Sequence, residues 1–413
     1  MENFCSYFKD CSNEIRAYHF DTKEFRTYDK TLDIKASHFY ITKSKDAYMK
    51  TITDDDLVNY ANKLYDEAIV LKKCLDFDYL TPRIKKNGFT VYHNHESNVI
   101  RFFMFFCSGR THIYNDIEAD EAKWIEKCRN GGLQYFRKGE YKNCFGYDYK
   151  KYYQNIMKDD KFIVPYDKGE EKMIKKIPNV LICGYYRCMI SSSNKFFNTM
   201  FQFSDDHVYT HTTIKFCRDF QEKLQTKIQL IVDDKPNAYY YYAKKQCKVF
   251  NKTCGDYIEN IEKFQQEHPT NSLTKMLSSK LHGSLSKGNK ITKTKDEIVR
   301  ENLDVGHSDS SEYKIVKVFE KEDGIRKYTL MKKSKPYLFG IARIKPFITS
   351  FGRSKTMKMI VNEGIENCLY CHTDGVILSK KIDNLEQYDT LRIDEDKTGD
   401  LRIISTNRPV ERL

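Results

Sequence analysis

Long apolar runs are missing from this chain of 413 residues. The longest, around Ile100 to Cys107, falls far short of the roughly 20 residues that cross a bilayer, and it reads as a buried strand. The opening stretch, Met1 to Asp10, has no basic segment followed by an apolar one, so neither a signal peptide nor a membrane partner is expected. Regular cysteine spacing is missing too. Thirteen Cys, an odd number in a long chain, exclude a secreted disulfide framework and favour a reducing, intracellular compartment. Cys368-Leu-Tyr-Cys371 matches C-x-x-C, but no second pair completes a zinc site, and residues three apart on a strand face opposite ways. Tryptophan occurs once, against 30 Tyr and 26 Phe, and hydrophobic residues at 40% suffice for a substantial core. No internal repeat is present.

What the chain has in excess is positive charge: 70 Lys+Arg against 58 Asp+Glu, a net +12. That balance favours a polyanionic partner such as nucleic acid, the plainer alternative being a lysine-rich solvated surface. Its patterns mix strands and helices. A helix is expected over 54–74, where Asp54, Asp55 and Asp56 enrich the first turn. Gly88 to Phe106 reads as two strands, and Glu121 to Cys128 as a short helix. Strands are expected at 143–149, 180–183, 185–190, 197–203 and 228–232, with helices at 151–157, 213–224 and 256–266. His268-Pro269-Thr270-Asn271 breaks the last helix, and Ser272 to Leu285 begins another, so the two form an αα-hairpin. Ser286 to Ser311 is polar and Gly/Ser-rich and reads as mobile. Glu322-Asp323-Gly324 between alternating runs marks a hairpin over 312–331. A further helix follows Pro346, and 390–406 has strand character.

Two acidic positions stand out. Asp374 lies at a tight turn between the apolar runs 365–369 and 376–379, which places one carboxylate at a rigid hairpin tip. Asp148 ends the strand Cys144-Phe-Gly-Tyr-Asp148-Tyr149. Carboxylates on separate strands, far apart in sequence, suit a pair of divalent metals about 3.5–4 Å apart for phosphoryl transfer. Each alone is equally well an ordinary turn aspartate.

Taken in order, these segments resemble the palm and fingers of family B DNA polymerases, most closely the protein-primed viral type. Asp148-Tyr-Lys-Lys-Tyr-Tyr153 is similar to motif A, Lys275-Met-Leu-Ser-Ser279-Lys-Leu-His282-Gly283 to motif B, and Tyr370-Cys-His-Thr-Asp374-Gly to motif C. Arg129-Asn-Gly131-Gly132 is similar to the Tyr-x-Gly-Gly element that joins exonuclease and polymerase halves and contacts DNA. The resemblance covers roughly residues 129 to 406. It implies that Asp148 and Asp374, helped by the Tyr149 carbonyl, bind two Mg²⁺ ions and are catalytic. Tyr153 would lie under the incoming sugar, and Lys263 and Lys275 would meet the triphosphate. Ser279 and Gly283 would border the nucleotide, with His282 and His372 as accessory groups. The implied partners are template-primer DNA, deoxynucleoside triphosphates, a terminal protein primer and other replication subunits. The implied setting is the cytoplasm or nucleus of a cell hosting a virus or mobile element.

Several positions depart from the family pattern. Ser279 and Lys280 replace Asn-Ser, His282 replaces a Tyr, Gly375 a Ser, and Arg129 a Tyr. His372 replaces the first Asp of motif C and removes one carboxylate. The expected architecture is α+β. Residues 1–128 form an N-terminal domain that is an exonuclease remnant without its motif set, 129–235 the first part of the palm with an insertion, and 236–285 the fingers. Residues 286–333 form a mobile segment with a hairpin insertion, and 334–413 the second part of the palm, with little or no thumb. The expected function is template-directed DNA synthesis. The alternatives are a catalytically degenerate polymerase-like protein that binds nucleic acid or scaffolds a replication complex, and a fragment whose exonuclease and thumb lie on other chains.

Overall fold

The computed structural model describes residues 5–9, 14–19, 24–29, 40–42, 91–92, 103, 116–128, 131–243, 245–267, 281–306, 310–320, 324–404 and 411–412. They divide into two compact units. One comprises Met1–Phe106 with Asp256–Ser284, the other Cys107–Gly255 with Leu285–Leu413. Both mix helices with sheet, which is mixed parallel and antiparallel in the first and antiparallel between the named strands of the second.

The first unit holds a five-stranded sheet in the order Glu24–Asp29, Glu14–His19, Cys5–Lys9, Tyr40–Thr42, Val91–Tyr92. The first three strands in sequence form an antiparallel meander. Tyr40–Thr42 runs parallel to Cys5–Lys9, and Val91–Tyr92 parallel to Tyr40–Thr42. Phe103 is helical and fully buried, which corrects the strand expected there. Its ring meets that of Tyr257 edge-on at 5.0 Å between centroids. Tyr257 belongs to the helix Phe250–Glu267, which departs from helical geometry at Cys254. The helix expected over 54–74 lies outside the described residues. So does most of the one expected from Ser272, of which Leu281–Ser284 is described and helical.

The second unit is built on a seven-stranded antiparallel sheet. Its axis is the long strand Gly139–Tyr149. Along one edge it pairs with Gly399–Ile403 and, nearer its end, with Leu391–Ile393. Along the other it pairs with Gly375–Leu378, which turns back as Cys368–His372 and then meets Gln134–Phe136. Cys144, Leu369, Tyr370, Ile377, Leu401 and Ile403 form one buried cluster, with Tyr141 packed on it. This is the payload expected when alternate residues of several strands share a face. The helix Lys345–Asn362, with Pro346 in its first turn, is buried nearly all round, from Phe347 through Val361. Its Thr349 and Ser350 hydroxyls return to the carbonyls of Lys345 and Phe347, so their burial leaves no polar atom stranded.

Between these parts of the chain lies a second sheet, ordered Val208–Thr210, Gly184–Ser192, Ala238–Tyr240, Glu170–Lys172, with Thr226–Leu230 also paired to Gly184–Ser192. Tyr185, Tyr239 and Tyr241 pack with Phe347 beneath it. Three expectations fail in this unit. Residues 197–203 are not a strand: Lys195–Met200 is a helix, because the Asn194 side chain accepts from the Phe196 and Phe197 amides and starts one. The 180–183 strand is likewise absent. The polar segment 286–311 carries a strand, Lys290–Thr294, and a helix, Lys295–Arg300, begun by a reciprocal Thr294–Glu297 capping box. That strand joins the hairpin Tyr313–Glu320 and Arg326–Lys332 in a three-stranded sheet.

Candidate active site

The two singled-out carboxylates meet at one end of the large sheet. Gly375 is the register partner of Asp148, and the Tyr149 amide donates to the Asp374 carbonyl at 3.1 Å. A two-residue turn, Thr373–Asp374, joins the paired residues His372 and Gly375. Thr373 has φ +59°, a conformation that a hairpin turn usually gives to glycine at this place. Such a residue costs about 1–3 kcal/mol and persists only when its surroundings fix it. Here they do. The Thr373 amide donates to the Leu133 carbonyl at 2.7 Å, the Thr356 hydroxyl donates to the Thr373 carbonyl at 3.0 Å, and the Asp374 amide donates to the His372 carbonyl at 2.8 Å.

Close packing supports the same turn. A Cβ on Gly132 would lie 2.5 Å from Thr373 Oγ1, so Gly132 is pressed against the tip that carries Asp374. Gly131 itself has open space. On Gly375 a Cβ would lie 3.3 Å from Asp148 Oδ1 and 3.5 Å from Lys397 Nζ, so glycine leaves room around the carboxylate. Gly146 lets the turn 394–398 cross the long strand: its amide donates to Thr398 Oγ1 at 3.0 Å, and a Cβ there would meet the Lys397 carbonyl at 2.6 Å.

The electrostatics follow from this crowding. Burial raises the Asp374 carboxyl above its ordinary range, and the negative charge of Asp148 raises it further. His372 and Lys397 pull it back. Lys397 was not apparent from sequence, where it is one cation in an acidic turn; its ammonium also donates to Asp394 at 2.7 Å. Tyr153, half-buried on the helix Tyr152–Lys158, has its phenol pushed up by burial and then by the charge of Asp374, which places it beside the pair. The Tyr149 ring is buried, 5.6 Å from that of Tyr152 and under the Lys355 ammonium at 5.1 Å. His372 is exposed at the tip.

The structure thus gathers Asp148, Tyr149, Tyr153, His372, Asp374 and Gly132. Lys263, exposed on its helix, and His282 and Gly283 belong to the other unit. Gly283 has open space around it. Lys275 and Ser279 lie outside the described residues. Among the described residues, no three His, Cys, Asp or Glu side chains gather as a metal group, and no helix is long and apolar enough to cross a membrane. Cys368 and Cys371 are both buried free thiols, the former pushed up to about 12 by burial.

No family model matches the chain, and no curated protein does. Solved structures do. Phi29 DNA polymerase in its ternary complex with primer-template DNA and incoming nucleotide is similar over 94% of this chain and 82% of that one, at TM-score 0.55 and 12% identity. The same polymerase with single-stranded DNA aligns over 84% of this chain and 54% of that one, at TM-score 0.51 and 14% identity. Its binary complex with primer-template DNA gives TM-score 0.51 over 84% and 57%. At such identities the likeness is one of fold: the chain shares, in part, the fold of phi29 DNA polymerase.

Proposed function

We propose that this protein is a DNA-directed DNA polymerase, joining deoxynucleoside triphosphates to a primer end under template direction. The observation that carries the proposal is the meeting of Asp148, near the end of its strand, with Asp374, in the turn that opens the neighbouring antiparallel strand, within a polymerase-like fold. Two part-buried carboxylates, one of them raised by burial and by the charge of the other, form a donor set that fits divalent cations. Mg²⁺ would be held by Asp148, Asp374 and the Tyr149 carbonyl, with substrate phosphates as further ligands, and would supply charge neutralisation and a more acidic primer hydroxyl. Asp148 and Asp374 orient that charge. Tyr153, half-buried and close enough to respond to the charge of Asp374, is suited to lie under the incoming sugar and exclude a 2′-hydroxyl. Lys263 and Lys275 are assigned to the triphosphate, and Ser279, His282 and Gly283 to the nucleotide and nascent pair, on the resemblance alone. The basic balance of the chain suits a DNA partner. A terminal protein primer and a viral or mobile-element setting belong to the same proposal.

The test is primer extension with Mg²⁺ by wild type, Asp148→Asn and Asp374→Asn. Each change removes charge with little change of volume, and extension should fall by orders of magnitude. Near-wild-type extension by either variant would remove the assignment. One observation favours a second reading, a non-catalytic scaffold that binds nucleic acid: His372 stands at the hairpin tip in place of a third carboxylate. Clear wild-type extension excludes it.

A further inference from the structure

Four backbone groups define the turn that carries Asp374, and each is bonded. The Thr373 amide uses Leu133, the Asp374 amide His372 and the Asp374 carbonyl Tyr149, all through main-chain atoms. The Thr373 carbonyl alone is held by a side chain, the hydroxyl of Thr356 at 3.0 Å. Thr356 is fully buried on the helix Lys345–Asn362. Its oxygen lies 2.7 Å from the Tyr152 hydroxyl, which also reaches the Gly352 carbonyl at 2.5 Å. Thr356 gives its one proton to Thr373, so the one proton of Tyr152 is shared between Gly352 and Thr356. The chain of contacts therefore runs from the residue beside Tyr153, through the long helix, to the residue before Asp374. Thr373 is β-branched and left-handed, a conformation that needs outside support.

Resting on the polymerase reading, we propose that Thr356, oriented by Tyr152, is a positioning residue for Asp374. Its hydroxyl holds the Thr373 peptide in the left-handed turn and so sets the direction of the carboxylate toward a divalent cation. It touches neither substrate nor reacting atoms. Loss of the hydroxyl frees the peptide to relax, and the Asp148–Asp374 pair opens.

The experiment uses the full chain without DNA and follows Mn²⁺ binding by electron paramagnetic resonance in wild type, Thr356→Val, Thr356→Ser and Asp374→Asn, with Mg²⁺ titrations of primer extension alongside. Thr356→Val keeps the shape and removes the hydroxyl. It should weaken Mn²⁺ binding by about threefold to tenfold, the worth of one hydrogen bond. The Mg²⁺ needed for half-maximal extension should rise in step, while the rate at saturating Mg²⁺ recovers. Thr356→Ser should behave as wild type. Should Thr356→Val not fold, Tyr152→Phe is read by the same criterion. Wild-type metal affinity in Thr356→Val, or equal weakening in Thr356→Ser, overturns the inference while Asp374→Asn still tests the metal site separately. Absence of Mn²⁺ binding in wild type overturns the two-metal reading and this inference with it.

Discussion

Gly132 and Thr373 are packed so tightly that a methyl group on the first would sit 2.5 Å from the hydroxyl oxygen of the second. Gly132 thereby supports the turn that presents Asp374. Gly132→Ala should displace the turn and reduce primer extension at least tenfold. Adding Thr373→Ala removes the clashing oxygen and should recover part of the loss, a coupling expected of residues in contact. Equal activity of the single and double variants would refute this account.

Asp374 also makes a stability statement. Its carboxyl is raised by burial and by Asp148, so the folded state prefers it protonated. The associated stability is complete below the ordinary Asp pKa of about 4 and is lost as pH rises through the raised folded value. In metal-free buffer at pH 7, Asp374→Asn should therefore melt above wild type, and the gap should close as the pH falls to about 4. Added Mg²⁺ should raise the wild-type Tm and leave the variant unmoved. A variant that melts below wild type without metal would contradict this.

His372 separates three outcomes. Restoring a carboxylate with His372→Asp should keep or raise extension at matched Mg²⁺ if the histidine merely replaces a weak ligand. A drop would show that the imidazole has its own task. No extension by either form, with DNA binding retained, would support the scaffold.

Glu121 and Arg343, 222 residues apart, are both fully buried and bonded at 2.8 and 3.0 Å, and Tyr241 donates to the same carboxylate at 2.8 Å. The pair ties the helix Ala119–Lys127 to the turn Gly340–Ile344 that precedes the helix Lys345–Asn362, and to Tyr241 beside the strand Ala238–Tyr240. Glu121→Gln leaves the guanidinium uncompensated and should cost about 3–5 kcal/mol in urea unfolding. Replacing both partners by apolar residues should cost less. A loss under about 1 kcal/mol for Glu121→Gln, the range of an exposed pair, would contradict the burial argument.

His211, packed on Phe347 with its Nδ1 accepting from the Gly184 amide, has its pKa pushed down to about 4 by burial. Its unfolded value is about 6.5, so the unfolded chain takes the proton first. Its contribution is present above that value and lost as pH falls toward 4. Between pH 7 and 5 the urea midpoint should fall, and His211→Gln should flatten that slope. An unchanged slope would mean that His211 does not titrate as described.

The sequence by itself determined the local chemistry. Alternating apolar runs around a two-residue turn announced the hairpin at Asp374, and the strand ending at Asp148 was visible for the same reason, since period-two patterning is a local property. The Thr294–Glu297 capping box and the Asn194 cap are equally present in the letters, and these caps, against the polar and Phe-rich composition around them, start a helix in each place. Tertiary structure alone decided what surrounds the carboxylates. The charge of Lys397 acts on Asp374 because glycine at 146 admits a turn that crosses the strand, and Thr356 reaches Thr373 because a largely buried helix packs against the hairpin. Contacts between residues so distant in sequence depend on packing in three dimensions, which no periodicity along the chain encodes.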